Sequence, residues 1–132
     1  MRAVMIAVLM ALSLPLTAHA SSFDETVVSK EFSHCMEKAN GSPDKILGCI
    51  TREKKIQDVR LNMAYKHLKT KVSPDQKHTL LIAQRAWLLY RDLNCKSYAK
   101  PGGGDLAIIR SRDCVRYHTA IRARELERFE QQ

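Results

Sequence analysis

Apolar residues recur at helical spacing in four segments of the chain, separated by short polar turns. Between about residues 23 and 39, steps of four, three and four residues join Val28, Phe32, Cys35 and Ala39 into one helical face. Segments at about 43–71, 74–98 and 105–129 are also periodic. The second segment is long, and its apolar face includes Gln57 and is interrupted by Lys54. The pattern predicts an all-α protein of about four helices.

The turns between these segments carry signals for helix ends and starts. Asn40-Gly41 tolerates the left-handed conformation that ends a helix, and Ser42-Pro43-Asp44 suits the cap and first turn of the next one. Ser73 and Gln76 have the spacing of a capping box. Residues 101–104 form a proline- and glycine-rich break. Because the connections are short, we expect antiparallel neighbours in a small up-and-down helical bundle.

Residues 1–20 have the features of a secretory signal peptide. Arg2 precedes an almost wholly apolar run over residues 3–16, and Ala18-His19-Ala20 has the small-x-small pattern of a cleavage site. The run is too short to favour an uncleaved membrane anchor. We therefore expect cleavage after Ala20, a single mature domain over residues 21–132 without stable membrane insertion, and a periplasmic or secreted location.

Four cysteines lie in the predicted mature chain, and their spacings do not match a zinc site. An even count in a small exported domain favours two disulfides, and four cysteines allow three pairings. Cys35 and Cys49 flank one predicted turn at similar distances, and Cys95 and Cys114 flank another. Since antiparallel helices face each other at these positions, we expect the bridges Cys35–Cys49 and Cys95–Cys114, which staple the two hairpins.

The chain is basic. It carries 22 Lys and Arg against 14 Asp and Glu, a formal charge of +8, or +7 once Arg2 is removed. Basic residues concentrate around residues 66–77 and along the last helix, where the simplest interpretation is a solvated face and the alternative is docking to an acidic surface. Nucleic acid is a poor fit for an exported, disulfide-bonded chain.

Motifs that would indicate catalysis are missing from the sequence. There is no G-x-S-x-G, H-E-x-x-H or phosphate-binding loop, and the histidines share no ligand spacing. The cysteines are assigned to disulfides, which leaves no thiol nucleophile. We expect a non-enzymatic protein with no catalytic residue, metal or cofactor; an enzyme that uses an unmarked carboxylate is the least favoured alternative.

The densest block of the chain is AQRAWLLYRDLNC, residues 83–95. On a helical wheel, Gln84 and Arg91 fall on the same face as Trp87, where a simple bundle would have leucine. They predict either a structural polar network or a groove bordered by Tyr90 and Arg91 that binds a ligand or a partner. The candidate partners in the network are Asn62 and Tyr65 of the second helix and backbone carbonyls at the glycine-rich turn.

A second apolar strip lies beyond the charged face of the same helix. Its members are Ile82, Ala86, Leu89 and Leu93. The strip either contributes to the core, by meeting the first helix, or is an interface for a second copy or another protein. The oligomeric state is left open at this point.

The block, the upstream LNMAYKHL, the GGG turn and Cys114 followed by TAIRAREL together resemble the LprI-like N-terminal domain family, named for a lysozyme inhibitor. The resemblance covers about residues 35–126. It implies a small exported helical domain with paired cysteines. The positions here that match the family's pattern are Asn62, Tyr65, Gln84, Arg85, Trp87, Tyr90, Arg91 and Asp92.

Most members of the family have no assigned activity, and some inhibit lysozyme or neutralise secreted peptidoglycan hydrolases. The resemblance therefore implies a protein partner, a cell-wall hydrolase. Because common animal lysozymes are basic, a basic inhibitor favours an acidic or neutral hydrolase. The alternative is an envelope adaptor or structural protein that binds anionic cell-wall material or another protein without inhibiting it.

Overall fold

A computed structural model describes residues 27–129, and all four predicted helices are present there. They are α1 (Lys30–Ala39), α2 (Pro43–Lys71), α3 (Pro74–Lys96) and α4 (Gly104–Phe129). Over this range the chain contains no strand, so the predicted all-α class is confirmed. The predicted signal peptide, residues 1–20, lies outside the described residues.

The helix ends follow the capping chemistry of the sequence except at two places. Ser42 precedes α2 as expected, but its side chain makes no capping hydrogen bond, and the start of α1 differs from the prediction. Helix α1 begins at Lys30, so the predicted start near residue 23 is wrong for residues 27–29. Ser29 is the reason: its backbone is extended and its Oγ accepts a hydrogen bond from the Phe32 backbone N–H at 3.0 Å. Asn40 ends α1 in the left-handed conformation, with φ 46°. Ser73 and Gln76 form the predicted capping box.

Helices α2 and α4 form the central pair of the bundle, with α1 packed on α2 and α3 packed on α4. Ile109, early in α4, packs against a core cluster that includes Ile50, early in α2. Leu126, late in α4, packs in a second cluster with Leu68, late in α2. The two central helices therefore run in the same direction, as an up-and-down order requires for alternate helices.

Both predicted disulfides are present. Cys35–Cys49 joins α1 to α2 with its Cα atoms 5.7 Å apart, and Cys95–Cys114 joins α3 to α4 with its Cα atoms 5.4 Å apart. Each closes a short loop, and in the chain-entropy account a bridge of this span is worth about 3 kcal/mol. The pairing follows from hairpin geometry, because each bridge links two helices that the short turn already holds side by side.

The buried face of α2 contains a carboxylate that the sequence pattern did not single out. Glu53 is 1% exposed and lies between Ile50 and Gln57 on the face that packs into the bundle. Lys54, which was predicted to interrupt that face, instead forms an ion pair with Asp58.

Across residues 27–129, no helix combines the length and apolarity that a membrane crossing needs.

Candidate functional site

The tryptophan of the dense block lies between two arginines. The Arg91 guanidinium carbon is 5.1 Å from the centre of the Trp87 ring, and that of Arg122, in α4, is 5.9 Å away. Trp87 also packs against the core cluster of α2 and α4 as a partly buried residue. Both guanidinium groups are within the range of an attractive cation–π contact. Because Arg122 belongs to α4, its contact links α3 to α4 electrostatically as well as by packing.

Hydrogen bonds extend this contact into a polar seam between α3 and α4. The Arg122 Nε donates to Gln84 Oε1 at 3.1 Å, and the Arg91 Nη1 donates to Thr119 Oγ1 at 3.1 Å. Arg91 also donates to the neighbouring Asp92 carboxylate. Because Arg91 and Thr119 are both buried, each bond satisfies a group that would otherwise be costly to bury. The seam fixes the register of the two helices.

The seam ends in a cluster next to the disulfide. Asn94 Nδ2 lies 3.4 Å from His118 Nε2, and the Tyr90 ring meets the His118 ring edge-on with centroids 5.9 Å apart. His118 is also close to the Cys95 and Cys114 sulfurs. A metal ion would need thiolates there, and both sulfurs are committed to the disulfide. The cluster is therefore a packing feature rather than a ligand set.

The second-helix residues of the signature do not join this seam. Asn62 is exposed, and Tyr65 packs against the core cluster with its hydroxyl buried and without a hydrogen-bond partner among the described residues. The expectation that they bond to Gln84 and Arg91 is therefore wrong. The partners come from α4 instead, because α4 is the helix that packs along α3. The bonds of Arg91 favour the structural interpretation of the block over a ligand groove.

The basic residues of the last helix are not all solvated. Arg116, Arg122 and Arg124 are buried, whereas Arg110, Arg112 and Arg128 are exposed. Arg116 stacks 4.5 Å from the centre of the Phe32 ring and donates from Nε to Asp113. The planar guanidinium can stack on an aromatic ring and still donate hydrogen bonds, which explains how α4 accommodates charges inside the bundle.

A second polar network, around Glu53, anchors α1 to α2. Glu53 Oε2 accepts from the Ser29 hydroxyl at 2.6 Å, and Oε1 accepts from Gln57 Nε2 at 2.8 Å. The Ser29 backbone N–H also donates to this carboxylate. The three-and-four spacing of Ile50, Glu53 and Gln57 was the signal that could have identified it.

Within residues 27–129, the exposed large apolar side chains include one strip on α2 and one on α3. The α2 strip consists of Ile56, Val59 and Met63, and lines an open groove together with Arg60, Ala64, His67 and Glu127. The α3 strip consists of Ile82, Ala86, Leu89 and Leu93, and every member is exposed. The core alternative for the α3 strip is therefore wrong, since α3 turns its polar seam inward.

A family model matches the chain over a range that contains the dense block and both disulfides. The profile of the family described as "Lysozyme inhibitor LprI" matches residues 35–126, which is more than half of the chain. The chain belongs to the LprI lysozyme inhibitor family. The match includes all four cysteines of this LprI domain and all of its signature positions. No curated protein and no solved structure matches the chain.

Proposed function

We propose that this LprI-family chain is an exported, non-enzymatic binding protein that inhibits a peptidoglycan hydrolase or confers immunity to one. The observation that carries the proposal is the family match over residues 35–126, since the family is one of lysozyme inhibitors rather than of catalysts. The predicted signal peptide, cleaved after Ala20, would deliver the domain to the periplasm. Its two disulfides suit an oxidising compartment.

The α2 strip is the surface that we assign to the hydrolase. Ile56, Val59 and Met63 supply an apolar centre, and Met63 is 66% exposed. Lys55 and Lys66 are exposed on one edge of this strip when α2 is viewed down its axis. An apolar centre with a polar rim is the usual composition of a protein interface. Because the rim on that edge is basic, an acidic or neutral hydrolase would be attracted and a basic one repelled.

An inhibition panel tests the proposal. The exported chain would be purified from the periplasm and added to peptidoglycan-degrading glycosidases and amidases of acidic and basic isoelectric point, with cell-wall turbidity as the readout. We expect dose-dependent inhibition of at least one acidic or neutral enzyme. Met63→Asp should weaken it, whereas the matched control Leu93→Asp, on α3, should not. Full activity of every enzyme at saturating protein would overturn the proposal.

The second candidate is an adaptor that binds anionic cell-wall material without inhibiting an enzyme. The exposed lysines between residues 66 and 77 favour it, since they form a concentrated positive surface. Such binding would be strong at low ionic strength and would fall steeply with added salt. Salt-sensitive sedimentation with purified peptidoglycan, in the absence of any inhibition, would select this function over the first.

A further inference from the structure

Helix α3 mixes polar side chains with Trp87 and the buried Cys95 on its inward face, and exposes a row of large apolar side chains on its outward face. Its inward face carries Gln84 and Arg91, whereas its outward face carries Ile82, Leu89 and Leu93, which are 54%, 63% and 61% exposed. At 100° per residue, the two faces lie on opposite sides of the helix. A contiguous apolar strip of this length on a small domain is typical of an interaction surface.

The charges beside the α3 strip are arranged in a self-complementary way. Arg85 and Asp92 lie seven residues apart, on the same edge of the strip. Arg85 is exposed and has no hydrogen-bond or ion-pair partner among residues 27–129. Asp92 accepts from Arg91 through Oδ1 alone, which leaves its second oxygen available. This edge is therefore complementary to an antiparallel helix that carries an acidic group opposite Arg85 and a basic group opposite Asp92.

We propose that the α3 strip pairs two copies of this chain as an antiparallel helix dimer. In the register that aligns the apolar residues, Ile82 lies opposite Leu93 of the other copy, and the small Ala86 lies opposite Leu89. The same register places Arg85 opposite Asp92, and the two-fold symmetry repeats every contact. The strip thus has the seam and flanking charges of an antiparallel coiled coil, with an isologous interface.

We assign the strip to a second copy of the chain rather than to an unrelated protein. In an antiparallel pair, Arg85 and Asp92 of one copy meet Asp92 and Arg85 of the other, so this edge is complementary to itself. A parallel pairing would instead set the edge with Arg85 and Asp92 against the opposite edge of the other copy, where Tyr90 lies, and would leave both charges without an opposite charge. The α2 strip does not offer the same match, since Lys55 and Lys66 line one of its edges with a single sign of charge. The two strips are therefore suited to different occupants, and the dimer does not depend on the proposed hydrolase inhibition.

Sedimentation velocity of the exported chain tests the dimer between about 1 µM and about 1 mM, a range that covers the weak affinity expected of a single helix pair. We expect a reversible monomer–dimer equilibrium in this range. Arg85→Asp and Asp92→Arg should each weaken self-association by about tenfold or more, because two attractive pairs become repulsive. An equimolar mixture of the two variants should restore dimers, since each edge then meets its opposite.

Further variants distinguish dimerisation in this register from nonspecific association. Leu89→Asp should abolish association, whereas Met63→Asp, on the α2 strip, should leave it unchanged. If Asp92→Arg unfolds, Asp92→Asn replaces it in the test. This variant removes the negative charge but keeps an oxygen that can accept a hydrogen bond from Arg91. A wild-type chain that stays monomeric to about 1 mM, a mixture that fails to dimerise, or a dimer lost in Met63→Asp would each overturn the proposal.

Discussion

The replacement of Trp87 by alanine tests whether the dense block is architecture. Trp87 packs against the core cluster but is only partly buried. A fully buried large aromatic costs about 3–5 kcal/mol when cut to alanine, so half of that, about 2 kcal/mol, is a fair measure of the packing loss. The contacts with Arg91 and Arg122 add about 0.5–1 kcal/mol each. We therefore expect a loss of about 3–4 kcal/mol.

Urea unfolding followed by far-UV circular dichroism is the appropriate assay, because Trp87 is the sole tryptophan and its fluorescence disappears in the variant. The expected loss corresponds to a melting temperature lower by roughly 10–15 °C for a domain of this size. Trp87→Phe, which keeps an aromatic face between the guanidiniums, should cost less than Trp87→Leu, which keeps only apolar volume.

A loss of less than about 0.5 kcal/mol for Trp87→Ala, the range of ordinary surface changes, would refute this reasoning. If hydrolase inhibition vanished at the same time, Trp87 would be a contact residue rather than part of the polar seam. Equal losses for the phenylalanine and leucine variants would show that the guanidinium contacts contribute nothing beyond packing.

Four further predictions concern other parts of the bundle. Glu53→Ala should destabilise the domain by about 2–4 kcal/mol in urea unfolding, because it removes a buried acceptor of several hydrogen bonds; a change within about 0.5 kcal/mol would contradict it. Replacing both Cys95 and Cys114 by serine should lower the free energy of unfolding by about 3 kcal/mol. An unchanged melting temperature would show that the Cys95–Cys114 disulfide does not stabilise the domain. Gly48→Ala should stabilise α2 by about 0.5–1 kcal/mol, since the new methyl group meets only an arginine tip at 3.9 Å. Gly103→Ala should destabilise, because the added Cβ would lie 2.6 Å from Ala107 Cβ; the opposite signs would refute both.

Local chemistry explains why so much of the fold was predictable. The turn at Asn40-Gly41 and the capping box at Ser73 act within a few residues, so their effect can be recognised without knowledge of the tertiary structure. The disulfides are nearly as local, because a short turn brings each pair of cysteines side by side. The start of α1 was misplaced, because the apolar spacing extends N-terminally of Ser29 whereas the Ser29 backbone is extended rather than helical. Helix α3 ends at Lys96, two residues before the predicted end.

Pairing across helices could not be predicted in the same way. A buried arginine needs an acceptor, but the need is met equally well by any helix that packs nearby. Asn62 and Tyr65 were reasonable candidates for Arg91, and the actual partner, Thr119, was decided by the docking of α3 on α4. The same holds for Glu53, whose partner Ser29 is 24 residues away in the chain.

Periodicity, capping and residue identity were enough to predict the four helices, both disulfides and the resemblance to a lysozyme inhibitor family. The packing of the helices was needed to establish that Arg91 faces the interior and that Leu89 faces outward. Side-chain orientation in a bundle depends on which helices are neighbours, and each helix can rotate about its axis until packing and buried hydrogen bonds select one arrangement.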